Sequence, residues 1–245
     1  MATTFDLSGK SILITGAGRG LGRALAIGAA QSGARVTAFD VDAQSLVELR
    51  RASDSITTHV VDVADRGAFR DAAARIGRID GVVNNAMLIR YDPIEAVDDE
   101  ILDRMLAIGI KGAVWGVQAL LRHMDPEAGG VILNLASPVA ERGFPRTAIY
   151  SMVKGAMGTF TRTLAAELGP RRIRVNALAP GSIPTPGAVA ITPQAEYERR
   201  AVTIPLRRLG RDEDATQASL FLLSDAASFI NGDILHVDGG VLASA

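Results

Sequence analysis

The strongest constraint on this chain is an alternation: seven short apolar or β-branched runs recur along its 245 residues, separated by longer amphipathic stretches. The runs are 11–15 (SILIT), 34–40 (ARVTAFD), 56–62 (ITTHVVD), 79–85 (IDGVVNN), 129–137 (GGVILNLAS), 173–180 (IRVNALAP) and 233–240 (DILHVDGG). Between them the spacing predicts helices from about Gly20, through Leu49, near 66–76, from about Asp98 to His123, around Tyr150, and before the last strand. Strands that alternate with helices must be joined by crossovers, which makes the sheet parallel and covers both its faces with helices. No Pro/Gly/Ser-rich linker, internal repeat or low-complexity tract interrupts the order, so residues 1–245 read as a single α/β domain. The longest stretch without a clear strand or helix is 181–205, which contains four prolines. A broken segment of that length in a compact domain reads as a lid or substrate loop, taken here as about 182–205.

Directly after the first run comes TGAGRGLG, residues 15–22, which opens a helix. Gly16, Gly20 and Gly22 allow the backbone to approach a pyrophosphate, whose charge is favoured by the N–H groups and dipole at the helix start. Thr15, Gly18, Arg19 and Leu21 belong to the same loop. The second strand ends at Asp40, at about the ~20-residue offset expected of an acid that hydrogen-bonds an adenosine ribose. A carboxylate there repels a 2′-phosphate and favours NAD over NADP, while Arg19 pulls the other way; Asp42 reads as the cap of the next helix.

In TAIYSMVKGAMGTF, residues 147–160, a phenol and an ammonium stand four positions apart on a helix, roughly 5–6 Å apart at Cβ. Val153, Met157, Phe160, Leu164 and Leu168 form the apolar stripe of that helix. On its own the pair Tyr150 and Lys154 fits either chemistry or a core tyrosine beside a snorkelling lysine.

Composition narrows the remaining classes. A formal charge of −1 without an extended basic run gives no electrostatic case for nucleic acid or an anionic membrane. The absence of cysteine excludes disulfides, thiolate nucleophiles and cysteine-ligated metals, and three scattered histidines, His59, His123 and His236, suggest no metal site. His59 and His236 read as sheet residues and His123 as a helix end. The stretch MATTFDLSGK lacks an apolar signal region and no run approaches the ~18 apolar residues of a membrane span, so a soluble cytoplasmic protein is expected.

Taken together, the ordered motifs resemble those of the short-chain dehydrogenase/reductase family along essentially the whole chain: TGxxxGxG at Thr15 to Gly22, Asp62–Val63 after the third strand, Asn84–Asn85–Ala86 after the fourth, Ser137 13 residues before Tyr150, YxxxK at Tyr150 and Lys154, and PGxxxT at Pro180, Gly181 and Thr185. The resemblance implies a Rossmann-like, doubly wound, seven-stranded parallel sheet and hydride transfer between NAD(H) and a secondary alcohol or ketone. It implies that Tyr150 is the general acid/base, that Lys154 binds the nicotinamide ribose and that Ser137 hydrogen-bonds the substrate oxygen. Asp62 and Val63 would hold adenine, Thr185 the nicotinamide carboxamide, and Asn84, Ala86, Pro180, Gly181 and Ile183 would complete the cofactor site. To work near neutral pH the phenol must drop about three units, ~4 kcal/mol, for which Lys154 and the oxidised nicotinamide are the available cations. A homotetramer is implied, with two long helices and the C-terminal strand at interfaces and the apolar VLASA terminus in weak agreement.

Two positions depart from the family pattern. Gly109 in GIKG, residues 109–112, stands where an asparagine is usual, a position whose backbone carbonyl at a helix irregularity anchors a water; glycine keeps that carbonyl, so a slowed or rerouted proton relay is expected. Met87 replaces a glycine and either narrows the substrate pocket or fills a packing gap. The pocket itself is expected from Met87, Pro138, Val139, Phe144, Ile183 and the 186–204 loop, a mostly apolar set that favours a small-molecule alcohol with a hydrophobic part. Two alternatives stand beside the NAD reading: an NADPH-dependent 3-ketoacyl-type reductase, and a dinucleotide-binding regulatory protein with weak turnover, prompted by Gly109.

Overall fold

A computed structural model describes residues 5–244. Residues 1–4 of the MATTFDLSGK stretch and Ala245 of VLASA lie outside the described residues. Seven strands, β1 (Ser11–Thr15), β2 (Arg35–Asp40), β3 (Ile56–Val60), β4 (Gly81–Asn84), β5 (Gly130–Leu135), β6 (Ile173–Pro180) and β7 (Ile234–Val237), form one sheet in the order β3-β2-β1-β4-β5-β6-β7. Every neighbouring pair is parallel. The helices are α1 (Gly20–Gln31), α2 (Ala43–Arg50), α3 (Arg66–Ala73), α4 (Asp99–Leu106), α5 (Gly112–His123), α6 (Ala148–Leu168), α7 (Pro186–Val189), α8 (Gln194–Thr203) and α9 (Asp212–Leu223).

Strand side chains alternate between two cores, as a sheet buried on both faces requires. Ile12, Ile14, Val83, Val131 and Leu133 pack with Leu25 and Ala29 of α1, Leu46 and Leu49 of α2 and Leu220 of α9. Leu13, Val82 and Ile132 face the other way, onto Phe69 of α3, Val117 and Leu120 of α5 and Leu164 and Leu168 of α6. The stripe read from the sequence is the buried face of α6: Val153, Met157, Leu164 and Leu168 are buried and Phe160 is partly so. His59 lies in β3, edge-on to Phe39, His123 closes α5, and His236 lies in β7 against Glu141.

Two regions depart from the expected elements. The stretch read as lacking clear structure holds α7 and α8; the short α8 is supported by Glu196, which pairs with Arg199 and Arg200 one turn on, and by the buried Tyr197. The expected single helix over 98–123 is α4 and α5 joined by a five-residue π turn, Ala107–Lys111, centred on Gly109. The run Asp99–His123 is long and apolar enough, at a mean hydropathy of 1.2, to pass for a membrane span by length and composition. In the fold its apolar face covers the sheet through Val117 and Leu120.

Candidate active site

In a doubly wound sheet, ligands bind outside the carboxyl ends of the strands where the order reverses, here between β1 and β4. The turns after these two strands are laced together. Thr15 Oγ1 accepts the backbone N–H groups of Asn85 and Ala86, both at 3.1 Å, and Asn85 Nδ2 donates to the carbonyls of Thr15 and Gly16, both at 2.9 Å. Asn85 is therefore the strap that shapes the glycine loop, a role the motif alone did not assign. Gly16 and Gly20 have φ of +64° and +55°, in the left-handed region. A Cβ on Gly16 would also press on Ala86 Cα at 2.8 Å, and one on Gly22 would overlap the Gly16 carbonyl. No side chain caps the start of α1 and no acid lies in its first turn among the described residues, which leaves its N–H groups to a ligand. A cradle that only glycine permits, at the start of an uncapped helix, fits the pyrophosphate of a dinucleotide.

Asp40 closes the loop from the side. Its Oδ2 accepts the Gly18 N–H at 2.8 Å and its Oδ1 the Asp42 N–H at 3.0 Å, and each oxygen retains a second lone pair for a ribose hydroxyl. Arg19 Nη2 lies 3.6 Å from Asp42 Oδ2, so the one cation in the loop already faces a carboxylate. Asp42 also caps α2, as its position suggested. Burial works to raise the Asp62 carboxyl, but Arg104 Nη1 at 2.7 Å and the Ala64 N–H hold it below the usual carboxylate range. Val63 is buried against Gly112. Across the cradle, Thr185 caps α7, and its Cβ lies 3.2 Å from where a Cβ on Gly20 would be. Gly181 and Ile183 connect Thr185 to Pro180 at the end of β6, with Ile183 buried beneath Gly210.

Asn84 is placed differently from expectation. Its Nδ2 donates to Asn134 Oδ1 at 2.8 Å, and Asn134 Nδ2 donates to Thr161 Oγ1 at 2.9 Å, a buried polar chain between β4, β5 and α6. The Asn84 side chain thus faces the interior, because β4 alternates and the next residue, Asn85, takes the opposite direction toward the loop.

Ser137 follows β5 and starts a 3₁₀ turn, Pro138–Ala140, its hydroxyl oxygen accepting from the Val139 N–H at 3.5 Å. Its hydroxyl lies near Tyr150, which stands in the first turn of α6, and works to lower that phenol's pKa. Lys154, one turn further along, is buried; its Nζ lies 5.7 Å from the Tyr150 ring centroid and donates to the Leu135 carbonyl at 2.6 Å. Burial pushes the lysine down to about 8. The expected acidification of Tyr150 is not a property of the protein alone. Burial first and the neighbouring Tyr91 phenol second push its hydroxyl well above the usual phenol value, and only the nearby Ser137 hydroxyl works downward. A lysine tied to the Leu135 carbonyl, its own ammonium disfavoured by burial, does not offset desolvation of the phenolate.

Gly109 and Met87, read as separate departures, meet in space. A Cβ on Gly109 would lie 2.9 Å from Met87 Sδ and would overlap Val153 Cγ1. Met87 therefore packs beside Gly109, as the gap-filling role expects. Of the expected pocket wall, Pro138 is buried, Val139 lies in the 3₁₀ turn, and Phe144 is exposed under the Arg142 guanidinium. Sequence reasoning missed the polar side of this region: Tyr91 packs edge-on to Tyr150 with ring centroids 5.6 Å apart, and Tyr197 and Arg200 approach from α8. Tyr91 and α8 reach Tyr150 only through tertiary packing, and no local pattern announces it.

With this geometry in place, comparison with known proteins is informative. A family profile described as enoyl-(acyl carrier protein) reductase matches residues 16–242. L-xylulose reductase of Bos taurus is 35% identical over 97% of this chain and 98% of its own length. Carbonyl reductase [NADPH] 2 of Sus scrofa is 34% identical over 98% of this chain and 99% of its own. The crystal structure of a glucose/ribitol dehydrogenase of the short-chain type from Brucella melitensis superposes with a TM-score of 0.90 at 30% identity, covering 96% of this chain and 98% of that one. The sheet order, the strapped glycine cradle and the Ser137–Tyr150–Lys154 group thus coincide with full-length similarity to known members, and the chain belongs to the short-chain dehydrogenase/reductase family.

Proposed function

We propose that this protein interconverts a secondary alcohol and a ketone with NAD(H), and that Ser137, Tyr150 and Lys154 carry the chemistry. The observation that carries the reading is the buried Lys154 one helical turn from Tyr150, with Ser137 near the same phenol, at the carboxyl edge of a sheet whose first turn is a dinucleotide cradle. The bound nicotinamide would supply the hydride donor or acceptor and, when oxidised, a positive charge. Ser137 Oγ would hydrogen-bond the substrate oxygen while Tyr150 Oη holds or releases its proton. With its pKa raised, Tyr150 stays protonated at neutral pH in the cofactor-free protein, and a bound cofactor must lower it before it exchanges its proton efficiently. Alcohol oxidation needs the phenolate and so the positive charge of Lys154 and of the oxidised cofactor. Leu135 fixes the Lys154 ammonium through its carbonyl, and the π turn at Gly109 keeps a backbone carbonyl near the same helix.

Asp40 and Asp42 support NAD: a 2′-phosphate would bring about two further negative charges toward two carboxylates, one of which already occupies Arg19. The exposed Arg19 and the NADPH-named relative favour the second reading, an NADPH-dependent reductase of the ketoacyl type. Direct comparison of NADH and NADPH affinities decides: tighter NADH binding supports the first reading and tighter NADPH binding the second. A homotetramer is part of the same proposal, and light scattering reads it directly.

A further inference from the structure

A cleft of about 210 Å³ lies between α3 and α5, away from the candidate active site. Arg66 and Arg70 of α3 line one side of it, and Trp115, Arg122 and His123 of α5 the other. Phe69, Ala73 and Ala119, all buried, give it an apolar floor. No carboxylate lines the cleft among the described residues. Arg70 pairs with its sequence neighbour Asp71 at 2.9 Å, whereas Arg66 and Arg122 have no acidic partner among the described residues. Asp65, beside Arg66 in sequence, caps α3 instead, its Oδ1 accepting the Ala68 N–H at 3.0 Å. The Arg66 guanidinium lies 4.7 Å from the Trp115 ring centroid.

The formal charge of the chain is −1, so this excess of cations is local. Arg66 opens α3, at the end of a helix where the macrodipole disfavours a cation, and Arg70 one turn on repels it. Stacking on an exposed indole returns only about 0.5–1 kcal/mol. Arg122, in the last turn of α5, is favoured by that helix's dipole and faces the same cleft. Two guanidiniums without acids, set over an apolar floor, focus positive potential into a small volume. Pockets for drug-sized molecules begin at about 300 Å³, so a cavity of this size takes a small ion or the charged end of an ester. Arg66 sits on Trp115, and Arg122 is about 10 Å further along the α5 axis. Two linked phosphates span that interval more readily than one.

We infer that the cleft between α3 and α5 is an anion-binding site whose ligand carries a pyrophosphate group, held between Arg66 and Arg122 with Arg70 along its length. Guanidinium forks match phosphate oxygens two at a time, which gives the site geometric as well as electrostatic selectivity. The glycine cradle offers backbone N–H groups to a pyrophosphate, whereas this cleft offers side chains from two other helices, so both can be filled at once. The inference is independent of the oxidoreductase reading.

Trp115 is the single tryptophan of the chain, so its emission reads the cleft directly. Inorganic pyrophosphate, ADP and inorganic phosphate are titrated in turn into protein saturated with NAD, which keeps them out of the cradle. Pyrophosphate is expected to change the emission to saturation, at least about tenfold more tightly than phosphate and less tightly as salt rises. Arg122→Gln is expected to weaken pyrophosphate about tenfold, and Arg35→Gln, an exposed arginine outside the cleft, to leave it unchanged. ADP equal to pyrophosphate supports a site that reads the phosphates alone, and tighter ADP supports the same site with a nucleotide as the source. A response that never saturates, phosphate as tight as pyrophosphate, or the same affinity in Arg122→Gln overturns the inference. Emission that follows protein concentration and ignores pyrophosphate assigns the cleft to contact with a second copy of the chain and overturns it as well.

Discussion

Gly109→Ala sets two effects of opposite sign against each other. Replacing a helical glycine by alanine gains about 1 kcal/mol of propensity. The new methyl, however, would meet Met87 Sδ at 2.9 Å and overlap Val153 Cγ1, and Val153 is fully buried. Met87 can swing its flexible end aside, whereas a β-branched valine on a packed helix has little rotamer freedom. Overpacking of this kind costs about 1–3 kcal/mol, so the net change is a loss of up to about 2 kcal/mol. At about 2–4 °C per kcal/mol for a chain of this size, the melting temperature drops by up to about 8 °C. Val153→Ala in the same chain removes the obstructing atom, and a double-mutant cycle followed by urea unfolding should show a favourable coupling of at least about 1 kcal/mol. A Gly109→Ala protein that is more stable than wild type, or a coupling near zero, would refute the steric account of this position.

Gly22→Ala should cost at least about 2 kcal/mol and most of the NADH affinity, because the methyl overlaps the Gly16 carbonyl, while Gly155→Ala, with nothing within 4 Å, should stabilise by about 0.5–1 kcal/mol; chemical unfolding and cofactor titration check both. Between about pH 8 and 10.5 the unfolded chain holds a proton that folded Lys154 has released, so stability of the cofactor-free protein rises with pH across that window, by up to about 3 kcal/mol. Below that window both forms are protonated and the contribution is constant. Above pH 10 the raised Tyr150 acts the other way, since the folded chain keeps a proton the unfolded one has lost. Melting curves of wild type and Lys154→Met over pH 7–10 separate the lysine effect, and an equal rise in both would contradict it.

Much of the fold was legible because the strands are buried on both faces and the helices on one, which writes short continuous apolar runs and a period of 3.6 into the chain. The glycine loop was legible for a different reason: left-handed backbone at Gly16 and Gly20, and the contact of Gly22 with the Gly16 carbonyl, leave glycine as the residue that fits. What stayed hidden depends on contacts distant in sequence. Tyr91, Tyr150 and Tyr197 are scattered along the chain, and only tertiary packing brings Tyr91 onto Tyr150 and α8 close to Tyr91. The direction of the Tyr150 shift depends on how completely burial strips water from the phenol, and a nearby lysine in the sequence does not reveal that Leu135 has claimed its ammonium. The kinship of Met87 and Gly109 likewise needs the Val153 side chain between them to be seen. Asn84 and Asn85 are adjacent and identical in type, but strand alternation sends one into the core and the other to the cradle.

The measurement that bears most directly on the whole account is the rate of NAD-dependent oxidation of a turned-over secondary alcohol by Tyr150→Phe. If the phenol moves the proton, kcat falls by about 10²–10⁴ while NADH still binds with its wild-type affinity. A variant that oxidises the same alcohol at the wild-type rate would contradict it.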